Sequence, residues 1–378
     1  MSASCDDCLR RGYLVGHLAS RIATILDHTK KRVPGLLSLD DERLITAIAG
    51  DGAAQAFAFL ERFDAAEARG AVESRAARTV CRHDPSYPIQ LKQLIDAPAV
   101  LFVTGGGDLH QAVGVEPAVA LVGARRASEY ALEVTRELGR GLGAAGVTVV
   151  SGMALGVDGA AHRACLDGGG TAVAVLACGP DIAYPRTNRA LYERIRERGV
   201  VVSELPPGQR AFRWSFPARN RIMAGLAQIT VLVEAADPSG SMITANFAGG
   251  LGRTVGAVPG QVTSSRAAGT NALLKDGALF VTRTRDLLDE LFGTQTESAG
   301  VQAEAAAALA RPADPVESLL LEAVEIGLGI DGICSHAGLP VHEARAGLSR
   351  LEASGHVRRD ALGVYRRTML ARREALAL

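Results

Sequence analysis

Between residues 118 and 292, short apolar runs alternate with longer stretches of helical pattern, and this alternation limits the possible folds more than any other feature. It is typical of a parallel sheet covered by helices on both faces. The predicted strands are residues 118–122, 147–150, 172–177, 200–203, 229–234, 255–258 and 279–281. The sequence therefore predicts an α/β fold built on a Rossmann-like, doubly wound parallel sheet.

The chain carries different patterns on either side of this sheet. Residues 1–80 place apolar side chains at three- and four-residue spacing, which predicts a small helical N-terminal domain. The sheet domain spans residues 81–292, and residues 293–315 have the composition of a linker. Residues 316–378 carry three short helical patterns closed by a two-stranded ribbon, which predicts a C-terminal winged-helix domain.

The third helical pattern of the predicted winged helix mixes charges. Arg345 and Arg350 are balanced by Glu343 and Glu352. A protein-binding or merely packed winged helix therefore agrees with the sequence as well as a DNA-reading one does, and we assign no base contacts to it.

Charge and hydropathy exclude several classes of protein. The 41 Lys and Arg residues cancel the 41 Asp and Glu residues, so a nucleic-acid site must be a local patch. The first residues are acidic where a signal peptide needs basic ones, and no run reaches the ~18 apolar residues of a membrane span. We therefore expect a cytoplasmic protein without a membrane span.

Cysteine usage gives little indication of a metal. The six cysteines are scattered, and only Cys5 and Cys8 form a C-x-x-C pair. No second pair accompanies them to supply the four ligands of a structural zinc site. The sequence therefore predicts no metal site.

One segment combines arginines with aromatic side chains and contains no acid. Between residues 205 and 221 these are Arg210, Phe212, Arg213, Trp214, Phe216, Arg219 and Arg221. Guanidinium groups bind phosphate in a planar fork and aromatic faces stack on bases, so the segment suits a single-stranded nucleic acid. The same residues suit equally well a loop whose aromatic side chains pack inside while its arginines are solvated.

Glycines and hydroxyl residues follow several of the predicted strands. At the carboxyl ends of parallel strands, helix N-termini present free backbone N–H groups to anions. Such positions are Gly123 and Arg125 after the first strand, Gly152 and Met153 after the second, and Ser239, Gly240 and Ser241 after the fifth. The first of these loops lacks the G-x-G-x-x-G dinucleotide pattern, and several anion seats on one edge fit a run of phosphates better than a compact cofactor. We therefore expect no cofactor.

Asp158 and His162 lie one helical turn apart, a spacing that also suits acid–base catalysis. We favour a capping role for Asp158 and a loop-orienting role for His162, because no second carboxylate or nucleophile accompanies them. The sequence therefore predicts no catalytic residue.

The motifs of residues 118–281 resemble those of the DNA-processing protein A, or Smf, family. In chain order they are VGARRAS, SGMALGVDGAAHRACL, CGPDIAYPRTN, SELPPG, FPARNRIMAGL, VLVEAADPSGSMITA, AVPG and GTNALLKDGA. One departure is Ala124, where the family commonly has Ser between the glycine and the arginine.

The resemblance implies a protein that is not an enzyme. It implies binding and protection of incoming single-stranded DNA in natural transformation, loading of the RecA recombinase, and a homodimer formed through the Rossmann-like domain. The implied DNA contacts are Gly123, Arg125, Gly152, Met153, Arg219 and Asn220, with Phe216 as a stacking platform. The anion-seat argument adds Ser239, Gly240 and Ser241. The arginine-rich segment adds Arg221, for which we expect a smaller or a purely structural effect because it points elsewhere on its helix.

Two alternatives belong to other classes. Enzymes similar to nucleotide phosphoribohydrolases place a catalytic Glu on the helix after a glycine-rich loop, but residues 238–252 of this chain contain no acid. A transcription regulator would require the winged helix to bind duplex DNA alone. We expect instead that residues 83–292 suffice to bind a single strand.

Overall fold

The computed structural model describes residues 4–29, 34–293, 312, 314–353, 356–359 and 365–367. The chain divides into two compact units, Met1–Leu291 and Phe292–Leu378. The first unit contains a large sheet, and the second contains a smaller group of helices with a two-stranded ribbon.

A group of helices precedes the sheet in the first unit. They are α1 (Asp6–His17), α2 (Ala19–Thr29), α3 (Pro34–Leu37), α4 (Asp41–Ile48), α5 (Ala53–Glu61) and α6 (Ala65–Glu73). Asp40 caps α4 by accepting a hydrogen bond from the Arg43 amide, and Asp64 caps α6 in the same way. The apolar side chains of this group surround a core that includes Leu14 and Ile45.

The described residues of the first unit build a nine-stranded sheet. Its strands are β1 (Ala77–Cys81), β2 (Val100–Thr104), β3 (Ala118–Val122), β4 (Thr148–Ser151), β5 (Ala172–Val175), β6 (Val200–Ser203), β7 (Ile229–Leu232), β8 (Thr254–Ala257) and β9 (Leu279–Phe280). Their spatial order is β1-β2-β6-β5-β4-β3-β7-β8-β9. Strands β3 to β9 pair in parallel, whereas β1 pairs antiparallel with β2, and β2 antiparallel with β6.

Helices cover both faces of this sheet. They are α7 (Glu129–Ala144), α8 (Val157–Asp167), α9 (Arg189–Arg198), α10 (Ser215–Leu226), α11 (Gly240–Gly250), α12 (Ala268–Lys275) and α13 (Thr284–Phe292). Val119 and Leu121 of β3 pack against α7 and α8, while Ala118 and Ala120 pack in the cluster that holds α10. Because successive strand residues point to opposite faces, both faces of β3 are buried, as expected of a doubly wound sheet.

The seven predicted strands are all present, with ends within two residues of their predicted positions. The sequence patterns do not predict β1, since it is short, half-exposed at Arg78 and Thr79, and directly follows a helical pattern. The helices of residues 1–80 lie in the same compact unit as the sheet, and the predicted domain boundaries stay predictions. Trp214 of the sheet region joins them, because its indole N–H donates to the Ala19 carbonyl at 2.9 Å.

The second unit contains α14 (Pro315–Glu325), α15 (Ile330–Ala337) and α16 (Val341–Ala353) with an antiparallel ribbon of β10 (Val357–Arg359) and β11 (Tyr365–Arg367). Leu320, Leu348 and Leu351 are part of its core. These elements agree with the predicted order of three helices and a ribbon, and the winged-helix assignment stays a prediction. Most of the predicted linker, residues 293–315, lies outside the described residues. None of the described helices combines the length and the apolar composition that crossing a bilayer requires.

Candidate nucleic-acid interface

The sheet has a topological switch point between β3 and β7. From β3 the chain builds outward through β4, β5 and β6 on one side, and then through β7, β8 and β9 on the other. Ligands of open α/β sheets bind outside the carboxyl ends of the strands at such a point, because the flanking loops diverge there. We call the loops that follow β3, β4, β5 and β7 the loop edge.

The loop after β3 is held in place by Glu234. The Glu234 carbonyl accepts a hydrogen bond from the Ala124 amide at 2.8 Å, and its carboxylate accepts one from the Ser128 amide at 2.9 Å. A side chain at Gly123 would approach the Glu234 carbonyl to 3.0 Å and Val157 to 2.7 Å, so the close approach favours glycine. Arg125 is exposed on this loop.

The loop after β4 is largely buried. A Cβ at Gly152 would overlap the guanidinium of Arg219, so only glycine fits above that side chain. Met153 has a φ of 57° and is fully buried, and its carbonyl accepts a hydrogen bond from the Asn188 side chain at 3.0 Å. The Met153 side chain packs in the core, so a DNA contact at this position would fall to its backbone, and that contact stays a prediction.

Arg219 lies beneath this loop and is only 7% exposed. Its Nη1 donates to the Val175 carbonyl at 2.5 Å, and its Nη2 lies 3.6 Å from the Asp158 carboxylate. Burial lowers the pKa of Arg219 and raises that of Asp158, and each charge partly offsets the effect on the other. The structure therefore assigns Arg219 a supporting role under Gly152 instead of the predicted exposed phosphate contact.

Arg221 is completely buried in the first unit, where it forms ion pairs with two carboxylates. Its Nε donates to Asp96 at 2.7 Å, and its Nη2 donates to Glu204 at 2.8 Å. Burial alone would lower the pKa of Arg221, but Glu204 and Asp96 outweigh it and hold the pKa above its ordinary value. Because Arg221 is buried, it cannot contact nucleic acid, and its prediction as a nucleic-acid-binding residue is corrected. The sequence analysis had already expected a smaller effect of this residue.

Asn220 and the start of α11 are joined by a hydrogen bond. The Asn220 side-chain amide donates to the Gly240 carbonyl at 3.2 Å, and Asn220 is itself buried. Ser239 precedes α11, and its buried hydroxyl has no hydrogen-bond partner among the residues that the structure describes. Gly240 is exposed and Ser241 half-exposed, and the first turn of α11 contains no acid. This turn has the helix start and the lack of acid that the predicted anion seat requires, and anion binding by its backbone N–H groups stays a prediction.

Three side chains meet beside the loop edge, and we call them the platform: Arg125 of the loop after β3, Tyr184 of the loop after β5, and Phe216 in the first turn of α10. The Arg125 guanidinium carbon lies 5.1 Å from the centre of the Phe216 ring. The Tyr184 ring centre lies 5.6 Å from that of Phe216, and Tyr184 is 44% exposed. Sequence reasoning missed Tyr184, although an exposed aromatic residue next to a proline after the third predicted strand was a usable signal.

The other aromatic residues of the arginine-rich segment point elsewhere. Trp214 is buried against the N-terminal helices, and Phe212 is partly buried in the same cluster. Of the two interpretations of this segment, the packed loop applies to Trp214 and Phe212. Phe216 is also partly buried, but it lies outside that cluster and contacts Arg125 and Tyr184 instead.

Asp158 and His162 do not form an acid–base pair in the described structure. Asp158 faces Arg219, while His162 is fully buried. Burial lowers the pKa of His162 to about 3, which keeps the imidazole neutral near pH 7. Asp158 accepts a hydrogen bond from the Ala154 amide of the loop after β4 at 3.3 Å. Its capping role and the loop-orienting role of His162 stay predictions.

The described residues of the first unit thus form a doubly wound, Rossmann-like sheet, with Arg125, Tyr184 and Phe216 in contact beside its loop edge. The model of one protein family, described as DNA recombination-mediator protein A, matches residues 78–292. The chain therefore belongs to the DNA recombination-mediator protein A family.

Individual relatives agree with this assignment. A putative DNA processing protein of Mycobacterium tuberculosis is 44% identical over 263 residues, which cover 68% of this chain and 66% of that relative. The match thus spans just under two thirds of the relative's length. The structure of DNA processing protein A from Streptococcus pneumoniae, at 31% identity, covers 75% of this chain and 95% of its own with a TM-score of 0.60. A structure from Helicobacter pylori, which addresses the single-stranded DNA binding mode of that protein, is 28% identical and covers 57% of this chain and 95% of its own with a TM-score of 0.51.

Proposed function

We propose that this chain is a non-enzymatic recombination mediator that binds single-stranded DNA along its loop edge. The observation that carries the proposal is the platform of Arg125, Tyr184 and Phe216. Aromatic faces stack on every base and a guanidinium pairs with phosphate, so such a platform binds a single strand without a sequence preference. The Helicobacter pylori relative, described as binding single-stranded DNA, supports the same ligand.

The platform and the anion seat of α11 are connected through α10. Phe216 lies one helical turn before Asn220, whose side chain holds the Gly240 carbonyl. A strand stacked on Phe216 therefore has a positively polarised helix N-terminus within reach of its neighbouring phosphates. A duplex keeps its bases stacked inside, so it gains the phosphate contacts without the stacking.

Several features support binding rather than hydrolysis. Phosphoribohydrolase-like enzymes carry a catalytic Glu on the helix that corresponds to α11, and the first turn of α11 contains no acid. His162 is neutral and buried, and Asp158 is engaged with Arg219. Protection of incoming DNA in natural transformation, transfer of the strand to the RecA recombinase and a cytoplasmic location complete the proposal. The family's description as a recombination mediator supports the RecA step.

The first unit alone should bind the strand. A chain that ends at Gly293 retains the platform, the α11 turn and β1, and we expect it to shift single-stranded oligonucleotides with the affinity of the full chain. Removal of residues 1–82, which the sequence analysis treats as dispensable, would instead expose Phe102 and Trp214 and is expected to prevent folding. Mobility shifts on single- and double-stranded oligonucleotides measure this. Two results would contradict the proposal. The full chain could prefer duplex DNA and lose that preference when the second unit is removed, or it could hydrolyse nucleoside monophosphates.

We also propose a homodimer that covers the β9 edge of the sheet. Strand β9 is terminal in the spatial order, and Phe280 on it is 57% exposed. Exposed strand edges invite pairing with a second chain, so Phe280→Glu should shift the protein toward monomer by placing a charge in the contact. Sedimentation velocity at micromolar concentration measures the change, with Phe57→Glu on α5 as the control. A wild-type chain that sediments as a monomer would refute the dimer.

A further inference from the structure

Four metal-ligating side chains converge where α1 begins beside the end of β1. They are Cys5, Cys8, Cys81 and His83, and their ligand atoms all lie within 4.8 Å of one another. The Nδ1 atom of His83 lies 3.3 Å from the Cys5 Sγ and 3.5 Å from the Cys8 Sγ. The sequence offers no second C-x-x-C pair, but the fold places two further candidate ligands beside Cys5 and Cys8. Cys81 is the last residue of β1, which the sequence patterns do not predict, and His83 lies two residues beyond it.

The spacing of these atoms fits a tetrahedral ion. Zinc binds Cys sulfur at about 2.3 Å and His nitrogen at about 2.0 Å, so a tetrahedron requires S···N separations of about 3.5 Å and S···S separations of about 3.8 Å. The two sulfur–nitrogen distances, 3.3 and 3.5 Å, agree with this requirement. An iron–sulfur cluster distributes its ligands over at least two irons and needs a wider set than one within 4.8 Å.

We propose that Cys5, Cys8, Cys81 and His83 bind one Zn²⁺ ion as a structural site. Three thiolates and one imidazole make a complete Cys₃His set, and complete tetrahedral sets are structural, whereas catalytic zinc keeps a position open for water. Soft thiolate ligands select zinc over magnesium or calcium. Cys5 is the N-cap residue of α1 and Cys8 lies in the first turn of that helix, so one short segment supplies two of the four ligands.

The packing around the four ligands holds α1 against β2. Gly12 of α1 lies so close to Val100 of β2 that a Cβ there would clash, and the rings of Tyr13 and Phe102 meet edge to face at 5.7 Å. Arg69 of α6 additionally holds the Ser4 carbonyl at 2.7 Å, just before the first ligand. The ion therefore joins α1 to the edge of the sheet at a site that the fold has already arranged.

The ligands differ in exposure, which makes the site accessible and testable. Cys8 and Cys81 are buried, Cys5 is partly buried, and His83 is exposed. Zinc can therefore enter and leave on the His83 side. Substitution of His83 removes a ligand without opening a cavity, so it separates metal binding from folding.

The test uses the full chain, purified in reductant, with metal content measured by mass spectrometry and ligand type by Co²⁺ substitution. We expect about one zinc per chain, and a cobalt form with the thiolate-to-metal charge-transfer band and the intense visible bands of a tetrahedral site. Cys81→Ser and His83→Ala should both lose stoichiometric zinc. Cys334→Ser, a partly buried cysteine of the second unit, is the matched control and should retain it.

A second measurement guards against variants that fail to fold. His83→Cys should keep zinc and move the cobalt bands toward those of a four-thiolate site, which a merely structural change would not do. A chelator should lower the Tm of the wild-type chain and leave that of folded His83→Ala nearly unchanged. Absence of zinc from the reduced wild-type chain, iron with cluster absorption in its place, or full zinc content in both Cys81→Ser and His83→Ala would overturn the proposal.

Discussion

Replacing Phe216 with alanine is expected to weaken single-strand binding by about 1–3 kcal/mol, which is the usual contribution of one aromatic side chain that stacks on a base. The ring contacts both the Arg125 guanidinium and the Tyr184 ring, so its loss removes the side chain that the other two share. Because stacking neutralises no phosphate, the slope of log affinity against log salt should stay at its wild-type value. Fluorescence anisotropy of a labelled single strand at several salt concentrations measures both quantities.

Unlike Phe216→Ala, a change at Arg125 should alter the salt dependence of single-strand binding. Its replacement with alanine removes one phosphate contact and is expected to reduce the magnitude of the salt slope by about 0.7. Arg125→Lys keeps the charge and should preserve the slope, while it loses the planar contact with the Phe216 ring. The pair of variants therefore separates charge from stacking at one position.

Two control variants test whether these effects are specific to the loop edge. Arg43→Ala on α4 and Phe57→Ala on α5 remove an exposed guanidinium and an exposed ring outside the loop edge, and neither should change affinity or slope. Wild-type affinity and slope in a folded double variant, Arg125→Ala with Phe216→Ala, would show that the loop edge is not the binding surface and would move DNA binding to the second unit.

The sheet could be predicted from sequence because its strands are buried on both faces. A strand such as β3, in which all five residues are buried, leaves a continuous apolar run that periodicity detects. Strand β1 leaves no such run, since its pairing with β2 places Arg78 and Thr79 at half-exposed positions of the sheet edge. The zinc ligands were missed for the same reason, because Cys81 approaches Cys8 only when β1 forms.

The candidate site was predictable in position but not in detail. The glycine turns and the α11 start follow from where parallel strands end, which the strand pattern reveals. The exposure of a particular arginine does not follow from pattern, because it depends on which carboxylates the tertiary fold brings near. Arg219 and Arg221 look alike in sequence to Arg125, yet Asp158 holds the first and Asp96 the second inside the first unit.

Arg221→Met should destabilise the first unit by about 3–5 kcal/mol. Methionine replaces most of the buried side-chain volume but leaves the Asp96 carboxylate, only 2% exposed, without its partner. An uncompensated buried charge is costlier than the absence of the whole pair, so adding Asp96→Asn to Arg221→Met should recover part of the lost stability. Urea unfolding followed by Trp214 fluorescence measures this, since Trp214 is the single tryptophan of the chain and is buried in the first unit.

A surface ion pair provides the comparison for Arg221. Arg285 and Asp289 lie one turn apart on α13 with partly exposed side chains, so Arg285→Met should cost at most about 1 kcal/mol. Folded Arg221→Met should also retain the wild-type salt slope for single-strand binding, because a buried guanidinium neutralises no phosphate. A wild-type urea midpoint in Arg221→Met would contradict the ion pairs of Arg221 with Asp96 and Glu204. A reduced salt slope with unchanged stability would show instead that Arg221 belongs to the DNA-binding surface.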